Sequence, residues 1–387
     1  MEIKTLSELS VDGRGYYGIG ASAVEYSEDL PTYLRITDIK DDGTLNFDGL
    51  KSVDDENASS YLLHPNDIVF ARTGASTGRN YFYDGFDGEF VYAGFLIKFS
   101  IDPGKVNPKY VKYYCLSNDY KGWIHSFNTG STRGNINAQT LGSMPIPIPS
   151  RAQQNGIVSL LESLDNKVRI NELINKNLFQ QAQALYKDRF IDLAPYDGTL
   201  PADWRTGTVS EIIQLHDSKR IPLSSRERAD LAKVYPYYGA TSIMDYVDRY
   251  LFDGIYLLLG EDGTVVDDKG FPILQYVEGK FWVNNHAHII SGKNGFSVEL
   301  LYLLFSLTNV QSIVTGAVQP KISQANLNRV SVIIPSQEEL QAFDSTIQPI
   351  FVEIRNLRAE NDRLAATRDA LLPKLMSGEI DVSDLSI

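Results

Sequence analysis

The chain has 387 residues, and a length of about 150 residues per domain predicts two or three domains. Its 36 Lys and Arg residues against 49 Asp and Glu give a net charge of −13. This charge excludes a protein that coats a polyanion with its whole surface, but it leaves room for a local basic cleft. The 43% hydrophobic and 22% charged content excludes disordered, collagen-like and fibrous chains.

The start of the chain and its cysteine content indicate the compartment. Residues 1–4 lead into an acidic, Gly-rich stretch instead of an apolar signal core. The single cysteine, Cys115, cannot form an internal disulfide. The most apolar windows are far shorter than the ~20 residues that span a bilayer. We therefore expect a cytoplasmic protein with no membrane segment.

The first 150 residues predict short strands joined by turns. β-branched and aromatic runs at 33–36, 67–70, 90–92 and 96–99 alternate with Gly, Asp and Asn, and residues 110–116 have a helical pattern. This composition is typical of a rigid frame whose loops carry recognition.

A Gly-rich run, residues 72–79, follows the second of these strands. It lacks the lysine followed by Ser or Thr of a phosphate-binding loop, which excludes a nucleoside triphosphate site. Asn-Pro-Lys-Tyr at 107–110 differs at its third position from the Asn/Asp-Pro-Pro-aromatic turn of an aminomethyltransferase, so that enzyme class is excluded as well. Gly74 and Gly78 are compatible with a simple turn and with a loop that contacts a ligand.

A long helix is predicted after Pro149. Ser150 is its expected N-cap with Gln153 as capping-box partner, and the helix is expected to end near Phe190, before Pro195. Apolar residues recur at heptad spacing and predict a coiled-coil seam. The seam consists of Ile157, Leu161, Leu164, Val168, Leu178, Ala182 and Leu185, with Asn171, Asn175 and Arg189 at the remaining seam positions.

The chain repeats itself at a shift of 186 residues, which aligns Ile-Pro-Ser at 148–150 with Ile-Pro-Ser at 334–336. A second helix is therefore predicted after Ser336, with Glu339 as capping partner and Gly378 at its end. The second seam matches the first position by position. Asparagine occupies one matching position of each seam, Asn175 in the first and Asn361 in the second, and together they predict a polar layer. It consists of Phe343, Ile347, Ile350, Ile354, Leu357, Asn361, Leu364, Leu371 and Leu375.

The second half offers weak signals for catalysis. Glu278-Gly279-Lys280 has the residue types of a metal nuclease, but a turn explains this short pattern better. His286 and His288 point to one strand face without an apparent third ligand, which favours a core or loop role. The sequence therefore predicts no catalytic site.

Two helices with equal seams are most simply packed on each other, although each could instead pack on its own domain as an ordinary amphipathic helix. An antiparallel pair places the globular domains at opposite ends. The predicted fold class is α+β, with two pseudo-symmetric mixed α/β domains separated by a long antiparallel two-helix coiled coil. The predicted domains are residues 1–150 and 195–336, and the predicted helical spacers are 151–194 and 337–387.

Several segments together resemble the specificity subunits of type I restriction-modification systems. In the first half they are YLRITDI (33–39), DIVFARTGA (67–75), NIN (135–137) and IPIPS (146–150). In the second half they are WR (204–205), YYGAT (237–241), GEDG (260–263), NHAH (285–288) and QPKI (319–322). Each motif is loose, but their order and the duplication make the combination specific. The helix starts, RAQQ at 151–154 and QEE at 337–339, depart from the family's commoner pairing of an acidic residue with glutamine.

The resemblance implies a non-catalytic DNA reader. Two target-recognition domains would each bind one half of an interrupted double-stranded DNA site, and the helices would dock two methyltransferase subunits. Restriction/translocase subunits would join them, so that the complex directs adenine methylation and DNA restriction in phage defence. No cofactor is expected in this chain, since S-adenosylmethionine, ATP and Mg²⁺ would bind the partner subunits. At ~3.4 Å per base pair, a ~50 Å rod spans up to ~15 base pairs.

The DNA-contacting candidates combine the resemblance with donor chemistry, because arginine can pair bidentately with guanine and glycine lets the backbone approach phosphate. They are Arg72, Thr73, Gly74, Ser76, Thr77, Arg79, Arg133, Asn135, Asn137, Lys219, Arg220, Tyr238, Thr241, Gln319 and Lys321. Two other functions stay open. One is a coiled-coil interaction scaffold that does not bind DNA, and the other is the recognition module of a single-protein restriction or antiphage methylation system.

Overall fold

The computed structural model describes residues 2–47, 49–127, 135–316 and 318–383. The chain divides into two compact units, unit 1 (Met1–Arg169 with Asn361–Ile387) and unit 2 (Ile170–Glu360). Both division points fall inside long helices, so each unit contains part of both helices. In the described part of the chain, no helix combines the length and apolar character needed to cross a membrane.

Unit 1 begins with short strands and helices. Its described strands are β1 (Glu2–Thr5), β2 (Tyr16–Tyr17), β3 (Ala23–Val24), β4 (Thr32–Leu34), β5 (Lys51–Val53), β6 (Asp67–Ala71), β7 (Asn80–Tyr83), β8 (Phe90–Tyr92), β9 (Leu96–Ser100) and β10 (Pro145–Ile148). Its described helices are α1 (Leu6–Leu9), α2 (Pro108–Tyr114), α3 (Asn118–His125), α4 (Ala138–Gly142) and the long α5 (Arg151–Tyr186), which continues into unit 2.

Two four-stranded sheets form the frame of unit 1. The first has the order β2-β9-β6-β7 and is antiparallel, and the second has the order β3-β5-β4-β8 with β4 and β8 parallel. Side chains alternate along β6, because successive residues of a strand point to opposite faces. Ile68 and Phe70 pack on the helices, whereas Val69 and Ala71 pack with the second sheet. The first sheet is therefore buried on both faces.

Unit 2 repeats this arrangement. Its described strands are β11 (Arg205–Thr208), β12 (Ile213–Leu215), β13 (Tyr235–Tyr238), β14 (Ile243–Val247), β15 (Phe252–Asp253), β16 (Tyr256–Gly260), β17 (Leu274–Val277), β18 (Lys280–Val283), β19 (Ala287–Gly292) and β20 (Ser331–Ile334). Its described helices are α6 (Val209–Ile212), α7 (Ser225–Ala229), α8 (Val298–Ser306), α9 (Gln324–Asn328) and the long α10 (Gln337–Met376), which continues into unit 1.

The first sheets of the two units correspond strand by strand. The order β12-β19-β16-β17 matches β2-β9-β6-β7, and the second sheet of unit 2 has the order β14-β13-β18-β15 with β13 and β18 parallel. In β16, Leu257 and Leu259 pack on the helices and Leu258 packs on the second sheet. The predicted α+β class and the internal duplication are confirmed.

The two long helices pair inside each unit. In unit 1, Ile157 and Leu161 near the start of α5 share a core with Leu372 and Leu375 near the end of α10. In unit 2, Ala182 near the end of α5 shares a core with residues near the start of α10. The beginning of one helix meets the end of the other in both units, so the predicted antiparallel pairing is confirmed. The helices also pack on the sheets of each unit.

The predicted seam needs corrections near its ends. Leu185 is 43% exposed, and the prediction of a seam position there is wrong. Ala182, another predicted seam position, is buried as expected, and Tyr186 and Phe190 rather than Leu185 continue the buried face in steps of four residues. Phe190 lies in a π-helical turn, Lys187–Ile191, that follows α5. In α10 the buried Phe351 lies between two predicted seam positions.

Two polar side chains of the predicted seam form hydrogen bonds within their own units. Asn171 is fully buried and its amide donates to Glu360 at 2.7 Å, while the Asn361 amide lies 3.5 Å from the Val168 carbonyl oxygen. Asn175 is half-buried.

Both long helices start with the predicted serine cap. Ser150 accepts a hydrogen bond from the Gln153 N–H and Ser336 accepts one from the Glu339 N–H. The side chains at the third position serve other contacts than a capping box. The Gln153 amide donates to the Ile380 carbonyl at 3.0 Å and accepts from the Val382 N–H at 2.9 Å, so the segment after α10 is attached to the start of α5.

Candidate nucleic-acid interface

The Gly-rich run of unit 1 forms the turn between β6 and β7. Gly74 has a φ of +73° and begins a 3₁₀ turn, and the Thr77 hydroxyl donates to the Gly74 carbonyl at 2.8 Å. Gly78 has a φ of +90°, and a Cβ added there would lie 2.5 Å from Ile124. Ser76 is buried beneath the turn. Of the sequence candidates in this run, Gly74, Ser76 and Thr77 thus have structural roles in the turn.

Arg72 lies at the end of β6, at the edge of this turn. Its guanidinium carbon lies 5.0 Å from the centre of the Tyr17 ring, and its Nη2 lies 3.4 Å from Asn135 Oδ1. Its Nε is buried and has no hydrogen-bond partner among the described residues. Tyr17 and Phe95, the residue whose carbonyl accepts from the Arg72 N–H, are 42% and 59% exposed. These residues form a surface that we call the Arg72 face: Tyr17, Arg72, Phe95 and Asn135.

Arg79 points away from this face. Its Nε donates to Asp41 at 2.7 Å and its Nη1 donates to the Ile39 carbonyl at 3.2 Å. The side chain therefore joins the turn to the segment after β4 and is neutralised there.

The segment that precedes α4 borders the Arg72 face. Thr73 forms a β-bridge with Asn135, and Asn135 is exposed. Asn137 is exposed as well, but its side chain caps α4 by accepting from the Thr140 N–H at 2.8 Å. Arg133, another candidate, lies outside the described residues.

Unit 2 has the same backbone arrangement with different side chains. Ile136 donates its N–H to the Arg72 carbonyl at 2.9 Å, and Ile322 donates its N–H to the Glu261 carbonyl at the same distance. Asp262 forms a β-bridge with Lys321, as Thr73 does with Asn135. The position of Arg72 in unit 1 is therefore occupied by Glu261 in unit 2.

Glu261 belongs to an ionic cluster around the buried Asp217 and His288. It consists of Asp217, Arg220, Glu261, His288 and Lys321. His288 is fully buried, with Nδ1 2.6 Å from Asp217 Oδ2 and Nε2 2.8 Å from the Ile322 carbonyl oxygen. A carbonyl oxygen only accepts, so Nε2 is the donor to Ile322, and Nδ1 forms the hydrogen bond with Asp217. Arg220 Nη1 lies 2.5 Å from Glu261, and Lys321 Nζ lies 3.1 Å from it.

The cluster lowers the pKa of both its carboxyls. Burial raises the pKa of Asp217, but hydrogen bonds from His288, the Ile289 N–H and Gln324 outweigh it and hold the pKa below its ordinary value. Burial also raises the pKa of Glu261, and Arg220, His288 and Lys321 together bring it below the ordinary value. Both groups are thus carboxylates at neutral pH.

The other unit 2 candidates differ in exposure. Lys219, Thr241, Gln319 and Lys321 are exposed at the surface. Tyr238 is half-buried, with its ring edge-on to Phe281 at 5.8 Å. Arg220 has a side chain only 13% exposed and, as a member of the cluster, is unsuited to contact a ligand directly.

Two patterns considered for metal chemistry have structural roles. Glu278-Gly279-Lys280 is the turn between β17 and β18, with Gly279 at a φ of +76°. Asp217, Glu261 and His288 come within 4.8 Å of one another, a grouping that could suit a metal ion. However, Nε2 of His288 donates to the Ile322 carbonyl and Nδ1 is hydrogen-bonded to Asp217, so both ring nitrogens already have protein partners. His286 forms a hydrogen bond with Asp262 through Nδ1.

Sequence reasoning missed four residues of these surfaces: Tyr17, Phe95, Asp217 and Glu261. Asp217 is 71 residues from His288 and Tyr17 is 55 residues from Arg72, so strand pairing alone brings them together. The N-cap role of Asn137 did have a signal, since Asn precedes a short helical pattern there.

Comparison with known proteins gives a consistent picture. The sequence pattern of the type I restriction modification DNA specificity domain matches residues 33–180 and again residues 201–364. The chain is 25% identical over 304 residues to the type I restriction enzyme MjaIX specificity subunit of Methanocaldococcus jannaschii, covering 72% of this chain and 70% of the relative. It is 22% identical over 400 aligned positions to the type I restriction enzyme HindI specificity subunit of Haemophilus influenzae, covering 81% and 86%. The crystal structure of an S subunit of a type I restriction-modification system from M. genitalium is 17% identical, covers 97% of this chain and 95% of its own, and has a TM-score of 0.48.

Proposed function

The chain belongs to the family of type I restriction-modification DNA specificity proteins, and we propose that its two target-recognition domains each bind one half of an interrupted DNA sequence. The observation that carries this proposal is the double match of the specificity domain, at 33–180 and 201–364. The corresponding sheets of the two units support it, because each unit presents a surface at the same end of its β6 or β16 strand.

The chain is the specificity subunit of its complex and not a catalytic one. We propose that two methyltransferase subunits dock on it and methylate adenine, and that restriction/translocase subunits join them. S-adenosylmethionine, ATP and Mg²⁺ would bind these partners. Base edges in the major groove would be bound by side chains of the two surfaces, with phosphate contacts setting the register.

The long helices are the proposed docking region, and their length would set the gap between the half-sites. Helix α5 has 36 residues and α10 has 40, or about 54 and 60 Å. Ile170, Leu173 and Ile174 of α5 are 50%, 59% and 39% exposed. Apolar residues at this spacing form one stripe on a helix, which suits contact with another protein.

The test uses the full chain purified with its co-encoded methyltransferase subunit. Binding to a pool of random DNA, followed by sequencing of the bound fraction, is expected to yield one asymmetric sequence in two parts with a fixed gap. Affinity should fall steeply with salt, because counterions are released from the phosphates. Binding of equal strength to all sequences would contradict the proposal and favour a scaffold that does not read DNA.

The net charge of −13 predicts a difference between the isolated chain and the complex. We expect the isolated chain to bind the selected DNA much more weakly, since partner subunits would enclose the duplex and supply phosphate contacts. Fluorescence anisotropy with a labelled duplex of the selected sequence measures both affinities. Equal affinity of the isolated chain and the complex would contradict this expectation.

A further inference from the structure

Arg72 differs from the other arginines of the recognition part of unit 1 in its charge environment. Among the residues described between 2 and 150, Arg14, Arg35 and Arg79 each have a carboxylate partner, at 3.9, 2.6 and 2.7 Å. Arg72 has no ion pair with a described residue, and its buried Nε has no acceptor there either. A half-buried guanidinium without a neutralising partner is the arrangement expected where an external acceptor completes the site.

The position and orientation of Arg72 are fixed from several sides. Its N–H donates to the Phe95 carbonyl at 3.1 Å and its carbonyl accepts from the Ile136 N–H at 2.9 Å. The guanidinium carbon lies over the Tyr17 ring, 5.0 Å from its centre, and Asn135 Oδ1 accepts from Nη2 at 3.4 Å. Tyr17 is itself held, because its hydroxyl accepts from the Ala138 N–H at 3.1 Å. With Nε buried, the edge formed by Nη1 and Nη2 remains for a ligand.

We propose that Arg72 determines one base pair of the half-site bound by unit 1, by donating from Nη1 and Nη2 to O6 and N7 of guanine. The inference rests on the proposed function and adds a base and a residue to it. A planar fork of two donors matches these two acceptors of guanine in the major groove. The exposed Phe95 and the exposed Asn135 amide beside it suit the apolar and polar parts of base edges.

A guanidinium fork can also bind a phosphate. If Arg72 bound a phosphate instead of guanine, its replacement would have a different effect on DNA binding. Phosphate contacts carry no sequence information, so losing one weakens binding equally for all sequences. Losing a bidentate contact to guanine relaxes the preference at one position only. The two possibilities can therefore be separated by one selection experiment.

The experiment compares the wild-type complex with R72A and R72K complexes, each containing the full chain and its methyltransferase subunit. DNA is selected from a pool with random half-sites, and the preference at every position is determined by sequencing. In R72A, we expect the preference for guanine at one position of one half-site to fall by roughly 5- to 150-fold. R72K restores the charge but not the fork, so it should recover overall affinity without recovering the guanine preference.

Arg79→Ala is the matched control, because Arg79 lies in the same turn but is neutralised by Asp41. It should retain the guanine preference. The inference is overturned if R72A lowers affinity uniformly, if it leaves every position unchanged, or if R79A relaxes the same position. A wild-type complex that selects no sequence at all would instead remove the proposed function itself. Melting curves of the variant complexes establish whether each is folded. If R72A does not fold, the guanine preference of R72K, which keeps the alkyl stem and the charge, is compared with that of the wild type instead.

Discussion

The two units have similar backbones but carry opposite charges at one equivalent position. In unit 1 the residue after the central strand is Arg72, which has no carboxylate partner among the described residues, and in unit 2 it is Glu261, which is surrounded by Arg220, His288 and Lys321. The main-chain hydrogen bonds at these positions, from the Ile136 N–H to Arg72 and from the Ile322 N–H to Glu261, have the same length, 2.9 Å. Because the frame is held by the main chain, the side chains on it can differ completely. One surface offers an unneutralised donor, and the other holds its charges in a closed cluster.

The largest expected effect is on the closed cluster. Asp217→Ala removes the hydrogen-bond partner of His288, the Ile289 N–H and Gln324, and it takes one nearby carboxylate away from Arg220 and the buried His288. Breaking a buried pair on one side typically costs about 3–5 kcal/mol. We expect the free energy of unfolding to fall by about that amount in urea titrations. Glu25→Ala, which breaks the exposed pair with Lys51 in unit 1, is the control and should change it by less than about 1 kcal/mol. A similar small change in both variants would remove the energetic distinction between the units.

Acid should affect unit 2 through the same cluster. The pKa values of Asp217 and Glu261 are lower in the folded state than the ordinary carboxyl value of about 4. Their stabilisation is therefore fully present above that pH and is lost as the pH falls through the lowered folded pKa. Replacing Trp123 with Phe leaves Trp204 and Trp282, both in unit 2, as fluorescent reporters. We expect a shallower loss of unit 2 stability below about pH 4 in Asp217→Asn than in the wild type, and equal slopes would contradict the role of Asp217.

Removing the N-cap of either long helix should lower stability by the same amount, because both helices start in the same way. Ser150→Ala and Ser336→Ala each remove the acceptor for one N–H in the first turn of a long helix. A serine cap is worth about 1 kcal/mol, so each variant should lose about that much unfolding free energy by denaturant titration. Ser163→Ala in the middle of α5 is the control, since its hydroxyl only donates to the Leu160 carbonyl. A loss at one cap alone would show that the two helix starts are not equivalent.

The smallest expected effect on stability is at Lys321. Its ammonium lies 3.1 Å from Glu261, but its side chain is 47% exposed, so Lys321→Ala should cost at most about 1 kcal/mol. If the exposed Lys321 contacts a phosphate, the slope of log affinity against log salt should fall by about 1 in the complex. Binding at a series of salt concentrations measures this slope. A relaxed base preference with an unchanged slope would instead make Lys321 a base contact.

Sequence patterns predicted the frame well, because strand alternation and the 186-residue repeat both depend on local residue types. The repeat also aligned Asn135 with Lys321, which occupy corresponding β-bridges. Ionic partners were not predictable. The pairing of Arg79 with Asp41 and of His288 with Asp217 depends on loops that come together only in the folded chain. The heptad pattern failed at Leu185, where the buried face continues through Tyr186 instead, and it did not reveal the π-helical turn that follows.

The discontinuity of unit 1 has a consequence for synthesis. Unit 2 is one continuous stretch, Ile170–Glu360, whereas unit 1 needs Asn361 onward and the contacts of Ile380 and Val382 with Gln153. Chains emerge from the ribosome N-terminus first, at about 5–20 residues per second. The half that is translated first therefore has to remain incomplete for roughly 10–40 s while the remaining ~200 residues are added. Unit 2, although translated later, is the first of the two to have its whole sequence outside the ribosome.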